Sequence, residues 1–191
     1  MIKKLLIIFC LLMVLASCTI NGTLQGLFSY YNKTKKESSI SFKRINSIRD
    51  SSILESDSSI VLLANGKELN DLLQKHEKSV VYIWAPKCKS KYCYSLNLLQ
   101  ETCRQEGVEL FIVAEYYDSY YMSKQYAIRH PLIGIDVKYY NTNITSKYLS
   151  EFIFDLTKGA FKYDVKNNVY CNFLSFNNGK FERAFMSIED L

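Results

Sequence analysis

Ser79-Val-Val-Tyr-Ile-Trp-Ala85, running straight into Pro86-Lys-Cys88-Lys-Ser-Lys-Tyr-Cys93, is the stretch on which the fold turns. Its first seven residues are an unbroken β-branched and aromatic run, the pattern of a strand buried on both faces in a parallel sheet. The spacing beyond it predicts a helix from about Ser90 to Glu106, with Leu96, Leu99 and Cys103 on the inner face and Gly107 as its stop. Cys88 then falls at a strand-to-helix junction, near the unpaired N–H groups of a first helical turn and the positive end of its dipole. Lys87, Lys89 and Lys91 add three cations around it. Each effect favours thiolate over thiol, which makes Cys88 the expected nucleophile of the pair. Five residues turn about 140° around a helix. Cys88 and Cys93 can therefore pair only if the residues between them form a loop and the helix begins nearer Cys93. A six-residue loop closed this way stabilises a fold by about 2 kcal/mol, so a purely structural staple is the alternative to a redox pair.

Outward from this segment the chain alternates in type. Ser59-Ile-Val-Leu-Leu-Ala64 has strand length, and Leu69, Leu72, Leu73 and His76 recur at helical spacing after the break at Asn65-Gly66. Val108–Ala114 is a further buried strand, and helices are expected at about 119–129 and 145–157. Val169–Phe176 and Lys180–Met186 flank Asn177-Asn178-Gly179, a strong hairpin signal because Asn and Gly tolerate positive φ. The fold class is α/β, with a mixed central sheet ending in a β-hairpin. One chain of 191 residues fits one folded domain, placed at 58–191. Hydrophobic residues at 48% exclude wholesale disorder, and a net charge of +5, scattered along the chain, excludes an evident nucleic-acid binder. The cysteines form no zinc-type pattern and His76 and His130 are far apart, so neither metal nor cofactor is expected. His130, before Pro131, reads as a helix end. The tyrosines at 116, 117, 120, 121 and 126 either grip a peptide or glycan or cover a helix.

Residues 1–17 carry a basic head, Lys3-Lys4, and an apolar run from Leu5 to Ala16 that is too short for a membrane span and of the length found in signal peptides. Leu15-Ala-Ser-Cys18 resembles the bacterial lipobox. That resemblance implies cleavage before Cys18, a diacylglyceryl group on its thiol and an acylated new N-terminus, which together anchor a protein stably in a bilayer. Thr19 stands where Asp would mark inner-membrane retention, which implies the outer membrane, facing the periplasm. Residues 18–57 read as the lipidated cysteine and a flexible, solvated tether, with one docking strand at Ile40–Ile48. Export leaves four thiols, Cys88, Cys93, Cys103 and Cys171, in a compartment that permits disulfides.

Trp84-Ala-x-x-Cys88 after an apolar strand, together with the terminal Phe176-Asn-Asn-Gly-Lys-Phe181, resembles the thioredoxin family over residues 59–186. The resemblance implies a three-layer sandwich and thiol–disulfide oxidoreductase chemistry. Carried over by position, Cys88 attacks a substrate disulfide, Cys93 resolves the mixed disulfide, and Trp84, Pro86, Lys87 and Cys171 are active-site neighbours. Cys171 occupies the place of the family's cis-proline, and the Cys-x4-Cys spacing departs from the family's Cys-x-x-Cys. The partners implied are thiols and disulfides of envelope or secreted proteins. The alternative is a redox-inactive binding module of the same fold, with Cys88–Cys93 a structural disulfide. Cys103 reads as a buried, inert thiol, and Cys171 as either a buried strand residue or a partner for Cys88.

Overall fold

The computed structural model describes residues 26–47, 59–91, 93–164 and 171–191, and within them seven strands and five α-helices alternate. The signal peptide expected at 1–17 and the lipidation expected at Cys18 lie outside the described residues. In chain order the elements are α1 (Tyr31–Glu37), β1 (Ser41–Arg44), β2 (Ile60–Ala64), α2 (Gly66–Leu73), β3 (Lys78–Trp84) and α3 (Leu96–Gln105). They continue with β4 (Glu109–Ala114), α4 (Ser119–Met122), β5 (Leu132–Ile135), α5 (Thr145–Leu156), β6 (Phe173–Asn177) and β7 (Lys180–Phe185).

The strands form one mixed sheet in the order β1-β2-β5-β4-β3-β6-β7. The first five are mutually parallel, and β6 and β7 run antiparallel as the closing hairpin. The parallel strands β2 and β5 are buried at every position, as their uninterrupted apolar sequences require. From β2 the chain passes through α2 to β3, three places across the sheet. From β3 it passes through α3 to β4, one place back. Right-handed crossovers in opposite directions set α2 and α3 on opposite faces, and α5 packs against α2.

Local chemistry fixes the element ends. Asn65 caps α2 in a capping box, its side chain accepting from the Glu68 N–H at 2.9 Å while the Glu68 carboxylate accepts from the Asn65 N–H at 3.0 Å. α3 stops at Gly107, whose φ of +67° lets the Val108 N–H reach back to the Cys103 carbonyl at 2.8 Å. Asn178 and Gly179, at φ 48° and 75°, make the two-residue hairpin turn that their residue types signal.

Asn70 joins three of these pieces. Buried on α2, its amide donates to the carbonyls of Leu156 at the end of α5 (2.9 Å) and Gly179 in the hairpin turn (2.7 Å). Asn70→Ala leaves both carbonyls unpaired in a site closed to water, and is expected to cost about 2–3 kcal/mol. Urea unfolding measures it, and a loss below about 0.5 kcal/mol would contradict this role.

The structure departs from the sequence expectation in three places. Within 26–47, expected to be solvated tether, the docking strand expected at Ile40–Ile48 is present as β1, but the residues around it are packed rather than solvated. β1 pairs in parallel with β2, and Tyr31, Ile40 and Ile45 are buried. Tyr31 meets Tyr117 edge-on at 5.1 Å, and the Tyr117 N–H donates to the Ser29 carbonyl. Burying each of these side chains is worth about 1.5–3 kcal/mol, enough to hold so short a segment. Second, the helix expected at 119–129 is the single turn α4. The following segment lies along α3, where the Asn97 and Gln100 side chains accept from the N–H groups of Ala127 and Arg129, both at 2.8 Å. Third, His130-Pro131 ends no helix: it leads into β5, a strand the sequence reading lacks. His130 stacks on Phe111 at 4.6 Å and meets the Glu109 carboxylate at 2.8 Å.

Candidate functional site

The site lies at the carboxyl end of β3, beside the centre of the sheet. Beyond Trp84 the chain turns at Ala85–Cys88, where the Cys88 N–H donates to the Ala85 carbonyl at 3.0 Å, and Pro86 supplies the fixed φ such a turn favours. A second turn closes from the Cys93 N–H to the Ser90 carbonyl at 3.1 Å. The two turns bring Cys88 and Cys93 to a Cα separation of 5.9 Å, and their sulfurs are joined as a disulfide. The Ser90 hydroxyl lies 3.5 Å from the Cys88 sulfur and 3.2 Å from that of Cys93.

The helix expected from Ser90 begins at Leu96, with Ser95 as its N-cap. The loop condition for pairing is met, and the same geometry removes the helix-terminus argument for an acidic Cys88, which stands eight residues before the first helical turn. The lysine argument is also altered. Lys87 pairs with Asp118 at 2.9 Å, an interaction that raises its pKa, while its backbone N–H donates to the Tyr116 hydroxyl at 3.1 Å. Lys89 and Lys91 are exposed. Lys87 is thus a strut between the Cys88 turn and the α4 cap, with its charge already matched.

Behind the disulfide is a cavity of about 250 Å³. Cys88, Ser90, Cys93, Glu115, Cys171 and Met186 are among the residues that line it. Cys88 is exposed, Cys93 half-buried and Cys171 only 4% exposed. Burial pushes the Cys171 thiol up to about 12 and raises the Glu115 carboxyl. Glu115 was not singled out from sequence. It follows β4 directly, where its N–H continues the ladder to the Trp84 carbonyl at 2.8 Å, and only the β3–β4 register reveals that it faces the cysteines.

The other sequence candidates divide. Pro86 is buried within the turn. Trp84 is buried but meets the Tyr126 ring edge-on at 5.8 Å and does not line the cavity. Cys103 is fully buried on α3, outside the cavity, with its thiol pushed up to about 11 by burial. Among the tyrosines, Tyr116 and Tyr117 are buried and Tyr120 is exposed. Tyr116, Tyr117 and Tyr120 line a separate groove of about 480 Å³ together with Lys33, Lys87 and Asp118. Among the described residues no three His, Cys, Asp or Glu side chains gather as a metal site, and no helix is long and apolar enough to cross a membrane.

Comparison with family models, with curated proteins and with solved structures gives no match.

Proposed function

We propose that this chain is a thioredoxin-like, membrane-anchored lipoprotein that exchanges thiols and disulfides in the cell envelope. One observation carries the reading: an exposed disulfide stands at the exit of a central parallel strand, beside a cavity lined also by a third thiol and a half-buried carboxyl. A disulfide whose first sulfur is open to solvent is reachable by a second thiol, whereas a purely structural bridge needs no access. The parallel strand entering the cysteine loop and the antiparallel terminal hairpin are both features that the thioredoxin resemblance implies.

In this reading Cys88 is the sulfur attacked or attacking, Cys93 is the resolving sulfur, and Lys87 and Pro86 hold the turn. The groove of tyrosines beside Lys87 is suited to an extended polypeptide whose own cysteine reaches Cys88. The test is catalysis. The protein is expected to accelerate reduction of a protein disulfide by a small dithiol, and a rate equal to the reagent's own would contradict the proposal.

A second reading is favoured by one specific observation. Neither cysteine belongs to α3, so the helix dipole does not stabilise a thiolate at either, and a bridge between two unactivated thiols suits a static staple in a binding module. The two readings differ in reduction potential.

Anchoring is independent of both. Cys18→Ala is expected to leave the protein unprocessed or to move it from the membrane pellet to the soluble fraction. Fractionation with a mass measurement checks this, and a persistently acylated variant would refute the assignment.

A further inference from the structure

We infer that Cys171 is a third member of the exchange site, able to take over the disulfide from Cys93 and hold it as Cys88–Cys171. The inference rests on the exchange reading above and extends it to a residue with no disulfide partner of its own.

The topology brings Cys171 to the site. The β3–β6 ladder runs antiparallel with Tyr82 opposite Phe173, and it continues outward through the Ile83 N–H, which donates to the Asn172 carbonyl at 2.8 Å. Cys171 is the next residue beyond, at the same end of the ladder from which Ala85–Cys88 folds back. Cys88, Cys93 and Cys171 all line one cavity of about 250 Å³. Cys103, the other free thiol, lines no part of it.

Accessibility divides the roles. Cys88 is exposed and meets external disulfides, while Cys171, nearly closed to solvent, is out of reach of a bulky reagent but open to a partner inside the cavity. In the oxidised protein, the Cys171 sulfur attacks the Cys88 sulfur. The Cys88–Cys93 bond breaks, the Cys88–Cys171 bond forms, and Cys93 leaves as a thiolate that takes the proton given up by Cys171. No net oxidation occurs. Starting from the thiols, an external disulfide is the oxidant. Cys88 attacks it to form a mixed disulfide, Cys171 then displaces the second thiolate, and the two electrons lost by Cys88 and Cys171 reduce the external disulfide to two thiols.

The experiment uses the full chain in detergent, as Cys93→Ser and as Cys93→Ser/Cys171→Ser, each treated with oxidised glutathione and mapped by non-reducing digestion and mass spectrometry. The single variant is expected to lose two hydrogens, to carry a Cys88–Cys171 cross-linked peptide and to retain no glutathione. The double variant is expected to keep a stable glutathione adduct on Cys88. An adduct that persists on Cys88 equally in both variants overturns the inference and leaves the exchange reading standing. Absence of any adduct or cross-link in both overturns the two together. Protection of Cys103 from alkylation reports that each variant is folded. Should a variant unfold, the wild-type protein, reduced and reoxidised across a glutathione series, answers the same question: a Cys88–Cys171 peptide alongside Cys88–Cys93 is expected, and its absence at every ratio contradicts the inference.

Discussion

Cys88→Ser is expected to reduce the turnover of a protein disulfide to the rate of the reducing reagent alone, a loss of about 100-fold or more. Serine keeps the size and the turn, because the Cys88 N–H bond to the Ala85 carbonyl does not involve the side chain. What is lost is the sulfur that a substrate can reach. Cys93→Ser/Cys171→Ser is expected to differ in kind, since the exposed Cys88 would still attack and, with neither resolving thiol left, a mixed disulfide with the substrate would accumulate. Cys103→Ser should leave the rate unchanged, because that thiol is enclosed in α3 packing and lines no part of the cavity. Turnover assays of the three variants, each checked for folding, separate the roles. A Cys88→Ser protein that retains activity would remove the exchange mechanism.

The second large effect concerns the scaffold. Gly66, the first residue of α2, touches α5 so closely that an added Cβ would fall on the Phe152 carbonyl oxygen, 2.5 Å from the Leu156 nitrogen and 2.8 Å from the Asp155 Cβ. Two of these three atoms are helix backbone and cannot rotate aside. Gly66→Ala must therefore push α2 off α5, and that movement also disturbs the Gly66 N–H bond to the Tyr140 hydroxyl at 2.8 Å and the capping box beside it. Overpacking of this kind costs about 3 kcal/mol, and in a domain of this size it lowers the thermal midpoint by about 6–12 °C. Urea and thermal unfolding measure both. A midpoint within about 2 °C of the parent would mean that the two helices are not locked together as described.

How far the sequence revealed these features depended on whether the signal was local. Lys78–Trp84, Glu109–Ala114 and the Asn178-Gly179 turn were legible because an apolar run or a positive-φ pair carries its own instruction. β5 was not, since four residues after a proline acquire strand geometry only by pairing between β2 and β4. The same holds for Tyr31, Ile40 and Ile45, spaced too sparsely in a polar stretch to announce a packed segment, yet buried once Tyr117 and β2 are in place.

At the site, the cysteine positions were legible and their surroundings were not. The short loop pairing was anticipated as a condition on where the helix begins, and α3 does begin late enough. The electrostatic activation of Cys88 expected from neighbouring lysines depended on where Lys87 points, and Asp118, thirty-one residues away in the chain, decides that. Glu115 and Cys171 reach the cavity through the sheet register, which no local window of sequence contains.

Each part of the account, from the exposed sulfur to the third thiol, requires that Cys88–Cys93 be a bridge that opens and closes by exchange with other thiols. The direct measurement is its reduction potential, taken on the full chain in detergent by mass-shift alkylation across a glutathione series, with peptide mapping to assign the cysteines that exchange. A form starting near residue 55 would be unsuitable, because it lacks β1 and the Tyr31 packing. Cys88 and Cys93 are expected to cycle together between about −120 and −270 mV, the range of exchange proteins. A pair locked below about −300 mV would contradict the central claim and mark the disulfide as a staple in a binding module.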